Sequence, residues 1–212
     1  MDQLIATTDR LLIRSWCESD RQPLFELNQD PEVMEFLGPP LSRYQSDQLV
    51  DRFVSEQEIS GYCPWVVELS QSGEFVGFVG LQSVPDYLNF VNGLEVVWRL
   101  KSKFWGLGLA TEAAHAALRI GFGSLGLAQV VSMTSKLNVR SQRVMQRLGI
   151  SHNEDDDFKH PAVDVESRLR AHVLYQLSDA DWRLDVDRNR EWNVEKRTAA
   201  SKFRQPTGPD SE

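Results

Sequence analysis

The sequence predicts an α/β fold, a sheet covered by helices, on three observations. Trp65–Leu69 and Phe75–Leu81 are rich in β-branched and aromatic residues and flank the turn Gln71-Ser72-Gly73-Glu74, a β-hairpin pattern. A further strand-like run, Leu94–Leu100, leads into Lys103-Phe104-Trp105-Gly106-Leu107-Gly108-Leu109-Ala110-Thr111-Glu112, where two glycines separate strand pattern from helix pattern. Ala110, Ala113, Ala114, Ala117 and Leu118 then make a small-residue stripe that lets the helix press closely on a sheet. A chain of 212 residues, 41% hydrophobic, suits one such domain with a sizeable core.

Taken in order, Leu11–Trp16 reads as the first strand, and Asp20 as the cap of a short helix whose apolar face holds Leu24 and Leu27. Pro31 suits the first turn of a second helical piece, closed by Gly38-Pro39-Pro40. Residues 46–59 carry Leu49, Val50, Phe53 and Val54 at helical spacing and stop at Gly61. The hairpin and the Leu94–Leu100 strand follow, with Gly77 and Gly80 marking bulges or close backbone approach. After the glycine turn, the alanine-rich helix ends near residues 121–123 and Gln129–Thr134 is the next strand. Asn138 caps a helix with Val144 and Leu148 on one face and Gly149 past its end, and Arg170–Leu177 is a late strand. The folded domain is placed at residues 1–183. Residues 184–212 form a charged extension, partly helical and then disordered.

A net charge of −8 argues against broad nucleic-acid binding and suits an amine-bearing, cationic substrate. No stretch approaches the roughly 18 uninterrupted apolar residues of a membrane span, and MDQLIATTDR lacks the apolar centre of a secretory signal, so the expected location is cytoplasmic. Cys17 and Cys63 sit apart with no metal-ligand spacing and read as free structural thiols; no metal is expected. The glycine turn carries the chemistry. Its glycines allow the backbone to approach a ligand, and the helix that follows presents unpaired N–H groups and a positive dipole end, a site for a pyrophosphate.

The order of elements and a series of short motifs resemble the GNAT acyltransferases. Lys103 takes the first place of a Q/R-x-x-G-x-G/A element, and Phe104 to Ala113 is similar to the YWGxGxATEA form of the RimJ/RimL-like branch. Arg10-Leu11-Leu12-Ile13-Arg14, Asp30-Pro31-Glu32-Val33-Met34, Gly77-Phe78-Val79-Gly80-Leu81 and Asn138-Val139-Arg140-Ser141 through Gly149 extend the resemblance over residues 8–183. It implies a mixed, mostly antiparallel sheet of about seven strands, with Leu94–Leu100 and Gln129–Thr134 splaying apart to hold acetyl-CoA. Backbone groups around Trp98 to Leu100 would pair with the pantetheine arm, one N–H serving the thioester oxygen. The N–H groups of Trp105, Gly106, Leu107, Gly108, Leu109 and Ala110, with Thr111 beside them, would take the pyrophosphate. Lys103 or Arg140 would add countercharge, and Asn138 and Ser141 would contact the cofactor arm.

The implied reaction is acetyl transfer from acetyl-CoA to a primary amine by direct attack in a ternary complex. The acceptor is an amine-bearing small molecule or a protein N-terminus. Many members of the family place a tyrosine acid seven residues after the motif asparagine, where this chain has Met145. Ser141 and Tyr175 are the substitutes for the acid; for the base, Glu95 stands ahead of Asp157 and His160. Met145 also leaves room for a catalytically silent acyl-CoA-binding or sensor module. The late strand and its extension offer an edge on which a second copy could pair as a homodimer.

Overall fold

The computed structural model describes residues 3–184, apart from Asn89 and Asn92. The charged extension expected at 184–212 lies outside the described residues but for Leu184. One sheet of nine strands organises the chain. Strands β1 (Leu4–Thr7), β2 (Leu11–Arg14), β3 (Pro64–Leu69), β4 (Phe75–Ser83) and β5 (Leu94–Leu100) run antiparallel in succession. Strand β6 (Gln129–Ser135) lies parallel to β5 and antiparallel to β9 (Ala171–Ser178). Two short strands, β7 (Ser151–His152) and β8 (Phe158–Lys159), pair with β9. The strand count exceeds the expected seven because β7 and β8 are two residues each. The edge strand β1 has no periodic pattern in sequence: Leu4 is exposed and the two residues after it are half-buried.

Helices cover both faces. On one lie α1 (Arg21–Gln29), α2 (Pro31–Met34) and α3 (Arg43–Ser60), where the Phe53 ring meets Phe78 at 5.4 Å and Trp16 at 5.5 Å. Side chains alternate along β4, so Leu81 points to the opposite face. There it packs beside Gly121 at the end of α4 (Leu109–Arg119), which a π-helical turn extends through Ile120–Ser124. The helix α5 (Val139–Arg147) follows β6. The alanine stripe works as expected, with Ala113, Ala114 and Ala117 fully buried. Gly77 admits a close approach: a Cβ there would lie 2.1 Å from the Arg99 carbonyl oxygen on β5.

Two local expectations change. Asp20 occupies the cap position of α1 but makes no side-chain cap bond; its carboxylate instead takes both Arg14 Nη atoms, at 2.7 and 2.8 Å, and the Cys17 N–H at 2.8 Å. A nearby guanidinium is the stronger partner. Helix α3 begins three residues earlier than its apolar spacing suggests, because Ser42 and Gln45 form a reciprocal capping box. Pro31, Gly61 and Asn138 bound their helices as expected. Cys17 and Cys63 are free, and burial pushes both thiols up. Among the described residues no helix is long and apolar enough to cross a membrane.

Candidate active site

Strands β5 and β6 pair only at Leu94↔Val130 and Glu95↔Val131, although β5 runs on to Leu100 and β6 to Ser135. Past that point they separate. Ser132 Oγ reaches across to the Val96 carbonyl at 3.0 Å, which places the Val96 peptide on the β6 side, while the Arg99 carbonyl faces Gly77 on β4. Peptide groups alternate along a strand, so those of Trp98 and Leu100 face the opening. The cleft between the strands has a volume of about 580 Å³. The Leu100 carbonyl is already held by Trp105 Nε1 at 3.0 Å.

The glycine turn closes one end of this cleft. Gly106 and Gly108 have φ of 76° and 77°, the left-handed region that favours glycine, and a Cβ on Gly106 would meet nothing within 4 Å. Gly106, Gly108, Leu109, Ala110 and Thr111 line the cleft, and Leu107 lines an adjoining hollow with Arg147. Trp105 also lines the cleft, but its N–H is spent on the Ser102 carbonyl at 3.0 Å, so the free donors begin at Gly106. Arg10 braces the turn from behind: Nη1 holds the Leu107 carbonyl at 2.9 Å and Nε binds Glu112 at 2.7 Å. Burial opposes the charge on Glu112, yet hydrogen bonds from Thr8 and Arg10 hold its carboxyl below the usual range.

The two expected countercharges are placed differently. Lys103 pairs with Glu74 and does not line the cleft. Arg140 does, but it pairs with Glu35 at 2.8 Å and stacks over Trp105 at 4.5 Å. Arg143 and Arg147 also face the cleft. Sequence reasoning missed them, although Arg140, Arg143 and Arg147 stand at i, i+3 and i+7 on one helix face.

Asn138 lines the cleft and caps α5, its Oδ1 accepting from the Ser141 N–H at 3.1 Å and its Nδ2 donating to Thr134 Oγ1 at 3.1 Å. Ser141 lines the cleft as well. Tyr175 is not brought in: it is 2% exposed, stacks on His152 at 4.8 Å, and its hydroxyl accepts a long 3.4 Å bond from Gln146. Met145 is buried in the core.

Of the three base candidates, Glu95 alone lines the cleft. Burial pushes its carboxyl up to about 7, against hydrogen bonds from Gln82 and the Met133 backbone and the charge of Arg52. Asp157 is engaged by His152 at 2.7 Å and Lys136 at 3.3 Å; burial opposes its charge, but those two partners hold it below the usual range. His160 packs against His172 at 4.7 Å, and burial pushes it down.

A parallel strand pair that opens after two residues offers an unpaired strand edge to an extended, amide-bearing ligand, and the glycine turn at a helix start beside it offers N–H groups to an anion. The acetyltransferase (GNAT) domain family matches residues 10–151. The chain belongs to the GNAT acetyltransferase family. It is therefore an acyltransferase, and the GNAT family uses acetyl-CoA. A curated relative, the FsC-acetyl coenzyme A-N(2)-transacetylase of Aspergillus fumigatus, is 30% identical over 184 residues, 82% of this chain and 76% of the relative. The solved RimL ribosomal L7/L12 alpha-N-protein acetyltransferase shares the fold at a TM-score of 0.68 and 16% identity, over 84% of this chain and 95% of that one. So does the spermidine N-acetyltransferase of Vibrio cholerae, in complex with CoA and spermine, at a TM-score of 0.66 and 16% identity, over 82% and 99%.

Proposed function

We propose that this GNAT enzyme moves an acetyl group from acetyl-CoA to a primary amine by direct attack in a ternary complex. The observation that carries this reading is one cleft uniting the unpaired edge of β5, the free N–H groups after Trp105 and the buried Glu95 carboxyl. The residues fit the cosubstrate: Gly106 leaves the space a phosphate needs, α4 aims its dipole there, and Arg143 and Arg147 supply charge from α5. When bound, acetyl-CoA supplies the activated acetyl group as a thioester.

Glu95 takes the proton from the acceptor ammonium, directly or through water, leaving a neutral amine. As the amine nitrogen bonds to the carbonyl carbon it becomes cationic, the C–S bond breaks, and Ser141 on the cleft wall passes its hydroxyl proton to the sulfur while taking the second proton from the nitrogen, which restores the serine and leaves a neutral amide. A Trp98 or Leu100 N–H stabilises the carbonyl oxygen as its charge grows. The names of the Aspergillus and Vibrio proteins, an N(2)-transacetylase and a spermidine N-acetyltransferase, support an amine acceptor. The buried Met145, where many members have an acid, favours a second reading, an acyl-CoA-binding module without turnover.

The test is isothermal titration of acetyl-CoA into the wild type and Gly108→Trp, which would fill the turn. Binding by the wild type and its loss in a folded variant is the expected result. No binding by folded wild type at millimolar ligand overturns the proposal, and binding with no turnover across an amine panel selects the silent module.

A further inference from the structure

The side of the cleft formed by β5, α2 and α3 carries an arginine that the transfer chemistry leaves unexplained. Arg99 stands four residues after Glu95 on the same strand face and lines the cleft. Its guanidinium donates to Asn28 Oδ1 at 2.6 Å and rests over the Phe78 ring at 5.3 Å. Among the described residues no carboxylate lies within ion-pair distance of it. Arg14, by contrast, is half-buried and binds both Asp20 and Glu68. Even a half-buried cation without a counter-ion is costly to keep. The cost is visible in the Arg99 group itself, which burial, with the nearby charge of Arg52, pushes down to about 10.

Arg52, on α3, lines the same cleft, lies over Phe53 and has only a loose 3.7 Å contact with Glu56. Two guanidinium groups that repel one another across a cavity form a site for an oxyanion, because their planar forks match a carboxylate. Glu32 and Glu95 face the same cavity, so groups of both signs stand on this side. An acceptor with one ammonium and one carboxylate presents the complementary pair.

We propose that the acceptor is a zwitterion, a primary amine that also carries a carboxylate, with the carboxylate held by Arg99 and Arg52 and the amine presented toward Glu95. This rests on the acetyltransferase reading above and narrows its substrate class away from polyamines. A carboxylate there relieves the repulsion between the arginines and replaces the counter-ion that Arg99 lacks. Glu95, without a lysine or arginine ion pair among the described residues, stays available to the amine.

The test compares acceptors in matched pairs: the standard α-amino acids and ω-amino acids of three to six carbons, each against its carboxamide, with spermidine as a cationic control. CoA release is followed with a thiol reagent. At least one acid should exceed its amide by tenfold or more in kcat/KM. Arg99→Gln and, independently, Arg52→Gln should bring that ratio to within twofold, chiefly through the KM of the acid. Arg52 is largely exposed, so its variant keeps the test open if loss of the Asn28 contact unfolds Arg99→Gln. Amides or spermidine used as well as or better than every acid would overturn the proposal. So would an Arg99→Gln effect equal on acid and amide, the result of bracing α1 alone. Failure of acetyl-CoA itself to bind would instead strike the acetyltransferase reading.

Discussion

Gln82 Nε2 donates to Glu95 Oε2 at 2.8 Å across directly paired positions of β4 and β5. An amide is a neutral partner, so it orients the carboxylate without supplying the charge that would fix it as an anion. Burial then dominates, and the Glu95 carboxyl sits near 7.

If Glu95 is the base, kcat/KM should rise with pH and level off above about 7. Glu95→Gln should remove that limb and lower kcat by about 100-fold. Stability should move the other way. The folded carboxyl holds its proton more tightly than the unfolded one, whose value is 4.5. Its contribution to stability is therefore full below 4.5 and is lost as pH rises through about 7. Glu95→Gln should melt above the wild type at pH 8, by up to about 3 kcal/mol, and close to it at pH 4. Thermal melts at the two pH values check this.

Arg147 faces both the cleft and the hollow beside Leu107, whereas Lys103 is occupied by Glu74. Arg147→Ala should raise the acetyl-CoA Kd by about tenfold and flatten its salt dependence. Lys103→Ala should change the Kd less than twofold. Titrations at two ionic strengths separate the cases, and the reverse ranking would return the countercharge to Lys103.

Tyr175→Phe should leave kcat within about twofold, because the phenol is packed against His152 outside the cleft. Ser141→Ala should lower kcat by about 100-fold, the low end for loss of an acid. A large loss in Tyr175→Phe would instead assign the acid to the phenol. Steady-state rates with one acceptor decide it.

Arg14, Asp20 and Glu68 form a charged cluster under the N-terminal strands. Asp20→Ala should cost about 3 kcal/mol, since it removes one partner of a buried pair. Burial opposes the Asp20 charge, but hydrogen bonds from Arg14 and Cys17 prevail and lower its pKa. The stabilisation is thus present above the ordinary value of 3.8 and is lost as pH falls through the folded one. Denaturant unfolding at pH 7 and pH 3 should show the Asp20→Ala deficit shrinking in acid.

The glycine turn, the hairpin, the alanine stripe and the Asn138 cap were legible in the sequence because each is decided within a few residues. Left-handed φ at Gly106 and Gly108, side-chain alternation and helical spacing are properties of neighbours along the chain. The family resemblance rested on the same local features. What only the tertiary structure decided is which partner each polar group meets. Lys103 finds Glu74 29 residues away, and Arg140 finds Glu35 at a separation of 105. Tyr175 is carried into the core, and Arg99 into the cleft with no ion-pair partner among the described residues. Those pairings depend on sheet register and on how the helices seat, and the energies that set them act between groups distant in sequence. The sequence by itself determined the frame of strand, glycine turn and helix; the folded chain determined which charges face the cleft beside it.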